Sequence, residues 1–191
     1  KHPDYYARPV PAFGDPTPAL LIVGLAPGYH GANRTGRPFT GDHAGIWLYR
    51  MLYRFGFANQ GESKSRKDGL KLIGCRITNA VKCVPPANKP NRKEIINCNK
   101  YLKQEIKALD ENKAILALGT IAHQALLMSL ALKASNYPFA HGAIHKLGNQ
   151  LTLYDSFHCS RYNTQTKRLT PQMFEAVFAR ITQQLRKYKE I

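Results

Sequence analysis

Leu20-Leu21-Ile22-Val23-Gly24 is a short, unbroken apolar run, the pattern of a parallel strand buried on both faces. Three further stretches have strand character: Arg76 to Val81, Ala114 to Leu118, and residues 151–157. Between them the period changes. Ile46, Trp47, Leu48, Met51, Leu52 and Phe55 recur at helical spacing until Gly56 stops the helix. A second helix is predicted from about Asn91 to Leu109, and a third runs from Gly119 to about Leu130. Thr170-Pro171 supplies an N-cap and a first-turn proline for a last helix, with Phe174, Val177, Phe178, Ile181 and Leu185 on one face. Strands alternating with helices predict an α/β sandwich.

The 191 residues fit one domain, 1–191, and residues 1–18, with prolines at 3, 9, 11, 16 and 18, read as an extended arm. Residues 57–71 read as a basic, mobile surface loop. Lys plus Arg number 28 against 12 Asp plus Glu, a formal net charge of +16. That excess favours a polyanionic partner, nucleic acid first, although an anionic membrane surface or a plain solvated face would carry the same sign. No apolar run approaches the roughly 20 residues that span a bilayer, and Lys1-His2-Pro3-Asp4 lacks the pattern of a secretory leader. The expectation is a protein that is not secreted, in the cytoplasm or with DNA in a nucleoid or nucleus. Four cysteines then stand as free thiols or metal ligands rather than a disulfide framework.

In an open parallel sheet, ligands bind beyond the carboxyl ends of the strands. The loop after the first strand, Gly24 to Asp42, includes Gly28, Gly31, Gly36 and Gly41, which let backbone approach a ligand, and Arg34 and Arg37, which add positive charge. It has neither a P-loop lysine nor G-x-G-x-x-G, so a simple nucleotide-binding enzyme is disfavoured. Ser156-Phe157-His158-Cys159-Ser160-Arg161 follows the fourth strand, and Asn79 lies near the end of the second. A carboxylate, a carboxamide, an imidazole and an aromatic ring at one strand-end crevice suit a planar polar base.

Gly24-Leu25-Ala26-Pro27-Gly28, His30 through Asp42, Ile77-Thr78-Asn79-Ala80-Val81-Lys82-Cys83, and His158 through Thr170 together resemble the uracil-DNA glycosylase superfamily, specifically its family 5 (type b) enzymes. The similarity runs from about Tyr5 to the last helix. It implies a three-layer αβα sandwich around a central four-stranded parallel sheet, and removal of uracil, with other deaminated bases taken by some relatives. The partner it implies is uracil-containing DNA, met by a monomer. Such an enzyme must extrude its target nucleotide from the base stack.

By this resemblance Gly24, Leu25 and Ala26 line the base pocket, Phe39 stacks on the base and Asn79 reads its edge. Asp42 orients water or stabilises the developing cation, and it is equally a good N-cap for the helix that follows. His158 donates to the departing base. Leu25 cannot activate water where other families carry an acid or amide. Arg34, Ser160, Arg161 and Asn163 fall where the family meets DNA, with Arg161 set to occupy the space left by the extruded nucleotide. Cys83 and Cys98, with fourteen residues between them, match two of four thiolates that hold a [4Fe-4S] cluster in families 4 and 5. The other two are expected upstream of Lys1. No lysine in these motifs is placed as a Schiff-base nucleophile, so hydrolysis without strand cleavage is expected. The rival from another class is a non-catalytic DNA-binding scaffold on the same fold.

Overall fold

Alternation along one strand decides how the layers assemble. In the computed structural model, which describes residues 2–188 and 191, β2 (Leu20–Gly24) is buried throughout. Leu20 and Ile22 face a cluster built with Leu48, Leu52, Phe174, Phe178 and Ile181. Leu21 and Val23 face the opposite cluster, with Leu102, Ile106, Ala122 and Leu126. A strand covered on both sides needs an apolar residue at every position, which is why β2 reads as a continuous run.

Beyond α1 (Ala32–Thr35), a single turn in the loop after β2, the helices divide accordingly. α2 (His43–Arg54) and α6 (Pro171–Lys187) cover one face, and α3 (Arg92–Lys107) and α4 (Thr120–Ser129) the other. Their ends are sealed by side chains: Asn91 and Glu94 form a reciprocal capping box on α3, and Thr170 accepts from Met173 N on α6.

The expected four parallel strands are present, but the sheet has six. β3 (Cys75–Asn79), β2, β4 (Ala114–Leu118) and β6 (Thr152–Ser156) pair in parallel in that order. β1 (Phe13–Gly14) is added antiparallel on β3, and β5 (Ile144–Lys146) antiparallel on β6. The sheet is therefore mixed rather than purely four-stranded and parallel. At two and three residues, the edge strands are too short to show an alternating pattern. The proline-rich arm is thus partly strand, anchored further by Val10 N donating to Lys82 O at 2.7 Å.

Residues 57–71 are not a free loop either. Phe57, Ala58 and Leu70 are buried, Ala58 bridges Leu72, and Asp68 accepts from the backbone N–H groups of Lys64, Ser65 and Leu70. Charged residues on its rim mask a segment that enters the core.

Candidate active site

The sheet opens at the carboxyl ends of β2, β3 and β6, and the loops there enclose a cavity of about 360 Å³, within the range of small-molecule sites. Leu25, Ala26, Phe39, Asp42, Asn79 and His158 all line it, with Ser160 at its margin. Gly24 forms the wall between two of them. A Cβ on Gly24 would stand 2.4 Å from Asn79 Oδ1 and 2.7 Å from the Phe39 ring, so only glycine lets both reach the cavity.

Phe39 is buried and stacks on His158, with ring centroids 5.9 Å apart. Its φ of +52° lies in the left-handed region, which costs a non-glycine residue about 1–3 kcal/mol. The neighbours hold it there. Tyr49 Oη donates to Pro38 O at 2.8 Å, and a Cβ on Gly45 would meet Phe39 O at 1.9 Å. Thr40 Oγ1 bonds Ser63 Oγ at 2.6 Å, and Arg37 Nη2 donates to both Ser63 Oγ and Asp68 Oδ2. Arg37 therefore adds no free charge to this loop, contrary to the sequence expectation: it is buried and ion-paired.

Asp42 caps a helix with one carboxylate oxygen and lines the cavity as well. Oδ1 accepts from Gly45 N at 2.9 Å and caps α2. Oδ2 lies against Gly28 and Gly31, where a Cβ on Gly31 would come within 2.4 Å. Burial raises the carboxyl pKa, and the bond from Gly45 and the nearby His43 only partly offset it.

Asn79 ends β3 and is buried, and its Oδ1 is a buried acceptor without a hydrogen-bond partner. Such a group costs about 1–3 kcal/mol unless something donates to it. His158 is half-buried, and burial lowers its pKa to about 4, so near neutral pH the ring is uncharged. Among the described residues nothing hydrogen-bonds to that ring. Asn163 Nδ2 donates to His158 O at 2.8 Å, and Ser160 caps α5 (Arg161–Gln165). Asn163 and Ser160 thus shape the loop that presents the imidazole.

A second depression shares Asp42. It is lined by Arg34, His43, Ile46, Arg50, Lys64 and Arg161 among others, and its four cationic side chains are exposed. Beside it Tyr162 is 70% exposed. Nothing in the spacing of the sequence marks this aromatic ring. Among the described residues no lysine lines the cavity, and Lys82, the one lysine in the Asn79 motif, is buried against Thr78 and Glu105.

The family model for the uracil DNA glycosylase superfamily matches residues 11–182. The chain belongs to that superfamily. A type-5 uracil-DNA glycosylase of Thermus thermophilus is 49% identical over 89% of this chain and 77% of that protein. One from Mycobacterium leprae is 44% identical over 91% of this chain and 77% of its own. A type-4 uracil-DNA glycosylase of Pyrobaculum aerophilum is more distant, at 34% over 81% and 72%. Among solved structures, wild-type Pedobacter heparinus SMUG2 superposes with a TM-score of 0.52 at 15% identity, covering 92% of this chain and 77% of that one. That likeness concerns the fold alone.

Proposed function

We propose that this uracil-DNA glycosylase superfamily member hydrolyses the N-glycosidic bond of deoxyuridine in DNA, releasing uracil and leaving an abasic site. The observation that carries the reading is the unpartnered Asn79 Oδ1 on the wall of a cavity whose other walls carry Phe39, Asp42 and His158. A buried acceptor without a donor is satisfied by a ligand N–H, and the N3–H of uracil supplies one. Cytosine presents an acceptor at N3 and would leave Asn79 unpaired, so the same atom rejects the normal base.

The bond breaks heterolytically, leaving negative charge on the base and positive charge on the sugar. The uncharged His158 ring donates to the base O2 as that charge grows, a role a neutral N–H fills without a prior proton transfer. Asp42 Oδ2 faces the sugar side, where it stabilises the cation and orients the attacking water. Phe39 stacks on the extruded base, worth about 1–3 kcal/mol. Arg34, Arg50, Lys64 and Arg161 bind the phosphates of the flanking strand. For the space left by the extruded nucleotide, which the resemblance gives to Arg161, the proposal takes the neighbouring Tyr162, whose exposed ring can stack between bases, and leaves Arg161 to the backbone. The reading takes the protein to act on DNA as one domain and one copy, with Phe39, Asp42, Asn79 and His158 sharing one cavity.

Cys83 is exposed and Cys98 partly so. Burial raises the Cys83 thiol pKa, and the neighbouring Cys98 and Glu94 add to it. By the family resemblance this pair would supply two of the four thiolates of a [4Fe-4S] cluster. When bound, the cluster supplies structural bracing between β3 and α3, while bond cleavage rests on the residues above.

A duplex oligonucleotide with a single uracil tests the reading. Release of free uracil with an alkali-labile site is expected. Salt-sensitive binding without release would instead mark a non-catalytic scaffold on this fold.

A further inference from the structure

Away from the cavity, three side chains from three elements converge: His123 on α4, His145 on β5 and Asp155 on β6. None of them lines the cavity or the basic depression. We propose that His123, His145 and Asp155 form a binding site for one Zn²⁺ ion.

The donor atoms are already gathered. His123 Nδ1 stands 2.8 Å from Asp155 Oδ1, His145 Nε2 stands 3.2 Å from Asp155 Oδ2, and all three ligand atoms lie within 4.8 Å of one another. Zinc binds imidazole nitrogen and carboxylate oxygen at about 2.0–2.2 Å, which sets ligand atoms of a tetrahedron roughly 3.3 Å apart. Closing the widest of these separations to that spacing takes a movement of up to about 1.5 Å, which rotation of the two rings and the carboxylate can supply. Two imidazoles with one carboxylate suit zinc better than magnesium or calcium, which take all-oxygen sets. A water completes the fourth position.

The surroundings are those of a ligand set. His123 Nε2 lies 2.8 Å from Tyr137 O. An imidazole that binds a metal through one nitrogen commonly donates its other N–H to a carbonyl, which fixes ring and tautomer. Without an ion, His123 faces an oxygen at both nitrogens, so each contact holds one proton. Zinc takes the place of the proton between Nδ1 and Asp155, which passes to solvent, and leaves a neutral ring bound to the ion. Phe139 packs edge-on against His123, and Tyr137 against His145. Asp155 is fully buried and His123 nearly so, whereas His145 is 12% exposed on the outermost strand, so the ion enters across His145. Once bound, it would fasten α4 and β5 to β6, whose chain continues into Phe157 and His158.

The test compares the full wild-type chain with His145→Gln, both stripped by a chelator and then titrated with Zn²⁺. The wild type is expected to take up one equivalent more than the variant and to gain in Tm on loading. Equal stoichiometry would overturn the proposal. A second measurement needs no variant: with ¹¹³Cd added to ¹⁵N-labelled wild type, scalar coupling is expected to Nδ1 of His123 and Nε2 of His145. Cadmium coupled only to cysteine, or to no histidine, would overturn it as well.

Discussion

Arg37 Nη2 lies 2.6 Å from Asp68 Oδ2, with only 4% and 11% of the two side chains exposed. The pair fastens the segment 57–71 under the turn that carries Phe39. Partial burial pushes the Asp68 carboxyl up, but the bond from Arg37 and those from Leu70, Lys64 and Ser65 outweigh it and hold the pKa well below its ordinary 3.8. Its stabilisation is therefore present above that value and lost as pH falls further. Asp68→Ala leaves a buried guanidinium unpaired and should cost about 3–5 kcal/mol in urea unfolding. Arg37→Met combined with Asp68→Asn should recover the part of that loss due to the stranded charge, because the guanidinium is gone and the amide oxygen can still accept from the backbone N–H groups of Lys64, Ser65 and Leu70.

Asp42→Asn separates chemistry from architecture. Asparagine caps a helix about as well as aspartate, and it removes a carboxylate whose ionised form is disfavoured by burial. Thermal stability should be equal or higher, while uracil release falls by about 10²- to 10⁴-fold. DNA affinity measured by fluorescence anisotropy should persist. In the wild type, the acid limb of the pH–rate profile should lie above 3.8, following the raised carboxyl pKa.

His158 gives a pH signature of the opposite sign. Its pKa is lowered from 6.5 to about 4, so between those values the unfolded chain binds more protons at this site. Its contribution to stability is complete above pH 6.5 and declines as pH drops toward 4. His158→Gln should flatten the pH dependence of urea unfolding in that window. The Asp42→Asn background should steepen it, since the Asp42 titration opposes the trend. An unchanged slope in His158→Gln would show that the imidazole is not the source.

Tyr162→Ala should leave Tm unchanged, because the ring is 70% exposed. Loss of base stacking worth about 1–3 kcal/mol predicts a fall in uracil release from duplex DNA by about 5- to 150-fold. Release from single strands, where no partner base must be replaced, should fall less. Equal losses on both substrates would count against a stacking role.

The layered core was legible because its strands are buried on both faces and its helices on one, and each condition leaves its own period in the chain. β1 and β5 were not, since two or three residues carry no period and both are held by pairing with β3 and β6. Phe39, Asp42, Asn79 and His158 were legible as a set through their motifs. Their convergence depends on strand order, which brings β3 next to β2 and β6 next to β4. Arg37 was misread because sequence shows a charge but not its partner, and Asp68 lies 31 positions further on. The His123, His145 and Asp155 cluster has no compact spacing, and only the fold assembles it.

The lining of the cavity also sets a limit for anyone redesigning it. Gly28, Ala32 and Ala44 line it with hydrogen or a single methyl, and the adjoining wall at Gly24 is bare main chain. Trimming side chains there can create almost no extra room, so variants meant to accept bulkier lesions such as purines will have to relocate a loop. Random mutagenesis confined to those positions should yield narrower enzymes.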